Sequence, residues 1–273
     1  LLVKLLLTAT PGRADGRNVE VIFGGAFTSE LRLWEVIDDQ LLAPFHYVGV
    51  DDGTDLRSLA WSRGDYAIGD LSDLYTGDHR RVKIAIEAIH RWIERPAQMR
   101  ALGFCITKDH ARFMTEQFEQ HGFRAAYLTG DDTQPEREAV LDRLKRGELQ
   151  IVFSVDVLGE GVDVPDVDTL LLLRPTQSPV LFAQQLGRGL RHAPGKSCCV
   201  VLDLIGQHRS EYRYDQRYQA LLDLRHGSVR TQAERGFPYL PAGSAIVLER
   251  IARERVLDAL KQPAAKPGAV ALR

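Results

Sequence analysis

Gln184, Arg188 and Arg191 recur at helical spacing within "QQLGRGLRHAPGKS" (184–197). Residues three and four apart share a helix face, so two guanidinium groups would project the same way. Such a pair suits phosphate recognition, because each group is a planar fork of donors that keeps its charge. A second signature overlaps this one. Gly195-Lys196-Ser197 ends like a phosphate-binding P-loop, G-x-x-x-x-G-K-[ST]. Leu190 stands where that pattern needs its first glycine. The context is inverted too: a P-loop follows a strand and opens a helix, whereas "APGKS" follows a helical run and precedes the apolar run "CCVVLDLI". It reads as a helix-to-strand turn. The Asp-Glu pair that would hold Mg²⁺ beside a P-loop occurs nowhere in the chain.

Upstream of the arginines, a strand ending at Ser154 runs into a Gly-rich acidic loop, "DVLGEGVDVP" (156–165). Ligands of open α/β sheets sit beyond the C-terminal ends of the strands. The loop and the arginine helix are therefore expected to share one ligand edge.

These groups need a scaffold, and the pattern around them supplies one. From residue 101, apolar runs alternate with amphipathic ones. "ALGFCI", "RAAYL", "QIVFS", "DTLLLL" and "CCVVLDLI" predict strands. "DHARFMTEQFEQHG" predicts a helix capped by Asp109 and stopped at Gly122. "TQPEREAVLDRLKRG" carries a capping box, Thr133 to Glu136, with Gly147 past its end. "SPVLFAQQLGRGLR" has Ser178 as cap and Pro179 in its first turn. Before residue 101, "FHYVGV" (45–50) predicts a strand, residues 51–78 an excursion with short helical pieces, and 79–95 an amphipathic helix. "SELRLWEVIDDQLLAP" predicts a helix with Ser29 as cap, and "LVKLLLT" (2–8) a strand. Alternation of this kind defines an α/β fold with a mostly parallel sheet and helices on both faces. After Gly206 the chain turns polar and helical. "YRYDQRYQ" is read as a helix packing on the domain rather than as a nucleic-acid surface. The tail "PAAKPGAVALR" is expected to fray.

Bulk properties narrow the classes. The 273 residues are 44% apolar and 26% charged, as in ordinary globular proteins. A net charge of −2 argues against histone-like coating of DNA but leaves room for a local basic track. Cys105, Cys198 and Cys199 lack metal-ligand spacing and read as core residues of a reducing compartment. His192 and His208 are expected at the surface and not as metal ligands. "LLVKLLL" is too short for a signal h-region or a membrane span, so a cytoplasmic protein without a membrane partner is expected. Position 1 is Leu, and the chain is expected to begin inside a longer polypeptide.

Taken in order, these segments resemble the second RecA-like lobe of superfamily 2 helicases and translocases. "LTATP" (7–11) resembles motif III, "LGFCITKDHARFM" motif IV, "GEGVDVP" motif V and "QQLGRGLR" motif VI, while "LTGDD" (128–132) stands where the family turns toward the nucleic-acid backbone. "FGGAFTSELRLWEVIDDQLLAPF" is similar to DEAH-like restriction and repair translocases more than to DEAD-box RNA helicases. The resemblance implies that residues 1–44 end a first lobe and its linker, that 45–206 form the second lobe, and that 207–273 are an accessory helical extension. It implies ATP and Mg²⁺ in the full-length protein, bound mainly by the first lobe, with none expected on this chain alone.

The resemblance also implies roles. Arg188 and Arg191 would be arginine fingers toward the γ-phosphate. Gly161 and Asp163 would meet the ribose, and Gln184 would couple the finger helix to the cleft. Thr8 and Thr10 would link nucleotide state to lobe movement. Thr107, Lys108, Thr129, Gly130 and Ser154 would touch a phosphodiester backbone without reading bases. Thr129-Gly130 also fits an ordinary strand-to-helix turn. Two positions depart from the family: Val155-Asp156 stands where DEAD-box members have Thr-Asp, and Gln185 where many have Arg. The partners implied are the first lobe of the same polypeptide and a nucleic acid, DNA favoured over RNA. The alternative is a non-catalytic nucleic-acid-binding or interaction module on a degenerate RecA-like scaffold.

Overall fold

Ala101–Phe104, Ile151–Ser154 and Thr169–Leu172 are buried at every position. A strand with one wet face would alternate; unbroken burial requires cover on both faces, the condition of a parallel sheet. The computed structural model describes residues 32–62, 64–155 and 164–261. In chain order these hold α1 (Leu33–Asp38), β1 (Phe45–Asp55), β2 (Trp61–Ser62), β3 (Asp65–Tyr66), α2 (Ile68–Tyr75), α3 (His79–Trp92), β4 (Ala101–Phe104), α4 (Lys108–Gln120), β5 (Ala125–Leu128), α5 (Gln134–Lys145), β6 (Ile151–Ser154), β7 (Thr169–Leu172), α6 (Pro179–Gly189), β8 (Cys199–Gln207), α7 (Tyr214–Gln219), α8 (Val229–Glu234), β9 (Ala245–Leu248) and α9 (Arg250–Lys261).

Seven strands form one sheet in the order β5-β6-β4-β7-β8-β1-β9, and every neighbouring pair is parallel. One face is covered by α3 and α4 through Val82, Ile86, Ile89, Met114 and Phe118. The other is covered by α5, α6 and the C-terminal helices, through Leu144, Phe182, Leu186, Tyr218 and Val256. This is the α/β, RecA-like arrangement expected from the sequence.

Local chemistry explains the boundaries. Ser178 accepts from the Leu181 N–H at the start of α6, with Pro179 in the first turn. Glu136 accepts from the Thr133 N–H at 2.8 Å, closing the expected capping box of α5. Helix α4 is capped by Thr107, not Asp109: the Thr107 hydroxyl accepts from the His110 N–H at 3.2 Å. Both residue types can cap, and the chain turns two residues sooner. Helix α1 begins only at Leu33, with Glu35 accepting from the Arg32 N–H; Ser29 lies outside the described residues, as do "LVKLLLT" and the tail.

The C-terminal residues supply a strand as well as helices. Strand β9 adds to the free side of β1, His46 opposite Ala245. Helix α7 spans only six residues, and its Tyr214, Arg217 and Tyr218 are buried, consistent with packing on the domain. His208 is only partly exposed: it stacks on Tyr212 with ring centroids 3.8 Å apart, and its Nδ1 lies 3.1 Å from the Tyr66 hydroxyl. His192 is exposed as expected.

Two buried ion pairs lie one on each face. Arg81 Nε donates to Asp52 at 2.8 Å and Nη2 to the Leu173 carbonyl, with the guanidinium over the Tyr75 ring. Arg217 meets Asp203 at 2.6 Å, their side chains only 3% and 2% exposed. The Tyr47 hydroxyl donates to the same carboxylate, and the Arg217 guanidinium lies 4.5 Å from the Phe182 ring centre on α6. Removing one partner would strand a charge in a dry site. Arg217→Met is therefore expected to cost about 3–5 kcal/mol, measured by urea unfolding. Arg217→Met/Asp203→Asn should recover part of that loss; a single variant within experimental error of the parent would count against the buried pair.

Candidate functional site

The direction of each connection decides where the chemistry sits. Helix α6 leaves the C-terminal end of β7 and returns to the start of β8, so it runs antiparallel to the strands. With 11 residues at 1.5 Å each, it is about 16 Å long. Its last turn therefore lies at the N-terminal edge of the sheet. The hydrogen bonds agree: the Leu190 carbonyl accepts from the N–H of Ala43, just before β1, at 2.7 Å. Arg188 is in that last turn, and Arg191 follows the cap residue Leu190 by one position. Both side chains are partly exposed, and Gln184 is exposed one turn earlier.

The arginine end of α6 thus lies at the N-terminal edge rather than beyond the C-terminal strand ends; the acidic loop expected to share its edge falls mostly outside the described residues. The residues expected to touch a nucleic-acid backbone lie at the opposite, C-terminal edge. Thr107 and Lys108 follow β4, Thr129 and Gly130 follow β5, and Ser154 ends β6. These strands are neighbours in the order β5-β6-β4, so the five positions form one row. Lys108 Nζ pairs with Asp131 at 2.5 Å, joining the start of α4 to the turn after β5. Gly130 is exposed.

Several of these hydroxyls already have work within the chain. Thr107 caps α4 and lies 2.8 Å from the Ser72 hydroxyl. Thr129 is 5% exposed, and its hydroxyl donates to Asp132, whose carboxylate also accepts the Thr129 N–H. The turn reading thus holds for Thr129, and Lys108 and Gly130 are the accessible members of the row. Ser154 is 1% exposed, with a hydroxyl that has no hydrogen-bond partner among the described residues. His110, beside this row, accepts from the Ile106 N–H at Nδ1 and is held neutral, burial lowering its pKa to about 3.

Thr8, Thr10, Gly161 and Asp163 lie outside the described residues. The ends of the acidic loop are described. Val155 follows the C-terminal end of β6, and Val164 precedes the start of β7.

The "GKS" turn has a structural task. Pro194 and Gly195 form the turn, Gly195 at φ +78°. Lys196 Nζ donates to the carbonyls of Gly189, Arg191 and Pro165 at 2.5, 2.8 and 3.2 Å. Burial lowers its pKa. Sequence reading missed this residue as part of the site. The adjacency to Arg191 was a signal, but its acceptors are backbone atoms.

Among the described residues no group of three or more His, Cys, Asp or Glu side chains could hold a metal, and no helix is long and apolar enough to cross a membrane.

Known proteins agree with this reading of the fold. Residues 83–193 match the family described as helicase conserved C-terminal domain. IRC3 of Saccharomyces cerevisiae, by name only an ATP-dependent helicase, is 30% identical over 199 residues, covering 73% of this chain and 29% of the yeast protein. The ATP-dependent RNA helicase DeaD of Haemophilus influenzae is 40% identical over 102 residues, covering 37% of this chain and 17% of its own length. Among solved structures, the ATP-dependent Type ISP restriction-modification enzyme LlaBIII bound to DNA superposes with a TM-score of 0.57 at 18% identity, covering 95% of this chain and 21% of that one. The chain belongs to the superfamily 2 helicases and carries their C-terminal RecA-like lobe. It spans less than a third of the length of either named relative.

The two glycines of "GRG" (187–189) have different tasks. A Cβ on Gly189 would collide with Cys199 Sγ and come within 3.0 Å of Leu170, so glycine here lets α6 lie close on β7 and β8. A Cβ on Gly187 would meet nothing within 4 Å. Gly189→Ala is therefore expected to lose about 1–3 kcal/mol through overpacking, whereas Gly187→Ala should gain about 0.5–1 kcal/mol from helix propensity. Denaturant midpoints of the two variants check this; equal shifts would refute the packing argument.

Proposed function

We propose that this chain is the C-terminal part of an ATP-dependent nucleic-acid helicase or translocase, and that its arginine pair completes a nucleotide site held by a preceding lobe. One observation carries the reading: Arg188 and Arg191 sit where the incoming segment attaches, next to the Leu190–Ala43 hydrogen bond. A nucleotide held by the preceding lobe would then approach the same end of α6. The sequence contains no G-x-x-x-x-G-K-[ST] of its own, which supports a shared site rather than a self-contained one.

In this reading, ATP supplies the phosphoryl group whose developing charge needs stabilising. Arg188 and Arg191 place fixed positive charge where that negative charge grows. Asp163 and Gly161 would meet the ribose, and Gln184 would hold the exposed face of α6 against the cleft. Mg²⁺ belongs to the preceding lobe. At the other edge, Lys108 and Gly130 offer a cation and an open backbone to a phosphodiester chain, a contact that grips without reading sequence. Thr8 and Thr10 would carry nucleotide state to the lobe movement. DNA is favoured over RNA, since the linker sequence is similar to restriction and repair translocases.

The isolated 273-residue chain is expected to hydrolyse ATP no faster than a buffer control. In the full-length protein, Arg191→Ala should lower kcat on the order of 10³–10⁵-fold, with little change in nucleotide affinity. Turnover by the isolated chain that Arg188→Ala abolishes would overturn the shared site. Unchanged kcat in full-length Arg191→Ala would remove the finger role, and a full-length protein without any ATP turnover would favour the non-catalytic module.

A further inference from the structure

An ammonium group has three N–H donors, and Lys196 directs its Nζ at three backbone carbonyls: Gly189, Arg191 and Pro165. The first is the last residue of α6, the second belongs to the candidate finger itself, and the third lies on the approach to β7. Carbonyls at a helix C-terminus carry partial negative charge, so a cation there both caps the helix and bonds with charge assistance. With its donors committed, the ammonium has none left for a ligand phosphate.

The neighbouring bonds have the same effect. Ala43 N–H holds the Leu190 carbonyl at 2.7 Å, and His192 Nε2–H donates to the Gln40 carbonyl at 3.0 Å. Cys199 N–H reaches back to the Pro44 carbonyl at 2.9 Å. Four consecutive residues, 189 to 192, are thus tied to groups outside the helix. Lys196 is the one side chain among these ties that spans the finger turn and the loop exit together.

We propose that Lys196 is a positioning residue for Arg191: it fixes the backbone of the finger turn relative to the loop exit at Pro165, and so sets where the guanidinium meets the nucleotide. The inference rests on the finger reading above. Losing a tether that sets sub-ångström placement lowers turnover without removing a contact to the ligand.

The test uses the full-length protein, with Lys196→Met and the milder Lys196→Gln, which keeps two N–H donors. ATP turnover is measured as kcat and KM, alongside affinity for a single-stranded DNA oligonucleotide. Thermal unfolding identifies which variants are folded. Lys196→Met is expected to lower kcat about tenfold to a hundredfold, with Lys196→Gln intermediate. KM and oligonucleotide affinity should stay within about twofold, because the backbone row lies at the other edge. Unchanged kcat in either folded variant overturns the proposal. So does a loss of kcat matched by an equal loss of oligonucleotide affinity, which marks general damage. If Lys196→Met does not fold, Lys196→Gln decides alone. Arg191→Ala in the same assay separates the two ideas: if it leaves kcat unchanged, the finger reading has failed. If it lowers kcat while both Lys196 variants do not, only the positioning role has failed.

Discussion

Every neighbouring pair in the sheet is parallel, and that constraint decides the layout of the molecule. A parallel strand must be followed by a crossover back to the starting edge. Each turn after a strand thus falls at one edge, and each turn after a helix at the other. Lys108, Gly130 and Ser154 follow or end strands; Arg188 and Arg191 end a helix. Their separation by the depth of the sheet follows from the connectivity, whatever the side chains do. Only elements that traverse that depth can carry a signal between them. Helix α6 is one.

The C-terminal residues make part of this core. Asp203 sits in β8, Arg217 in α7 and Phe182 in α6, and the three meet in one buried contact with Tyr47 of β1. Helix α6 rests on both the sheet and α7, which fixes its position from two sides. The Arg81–Asp52 pair does the comparable job on the other face, joining α3 to β1 and, through the Leu173 carbonyl, to β7. Neither pair needs to add net stability to matter, since breaking one leaves an uncompensated charge.

Much of this was legible in the residues. The stretches "IVF" (151–153) and "LLLL" (170–173) are apolar without alternation, which a doubly covered strand tolerates, and the caps Ser178 and Thr133 announce their helices. Strand β9 was not legible: "AIVL" has four residues, two of them only partly buried, at an edge. What makes it a strand is β1, distant in sequence. The cap of α4 was misassigned because Thr107 and Asp109 both have capping chemistry, and only the backbone path chooses. The arginine pair could be found from spacing, but not its edge, because the destination of a helix depends on the whole connectivity. Lys196 resembled a phosphate ligand for a related reason. Its true partners are carbonyls, which every residue has and no sequence displays.

Strand β1 lies between β8 and β9, with Phe45 opposite Cys199 and His46 opposite Ala245. The strand made first in this sheet is completed by the two made last. During translation β1 must wait, its Phe45, Tyr47 and Val48 without their final neighbours, until nearly all of the described chain has left the ribosome. Contacts of such long sequence separation form slowly and leave apolar edges open in the meantime. The price of a sheet closed from both ends of its chain is a long adolescence, in which a chaperone is a natural companion and a premature stop codon near residue 240 leaves β1 with one side uncovered.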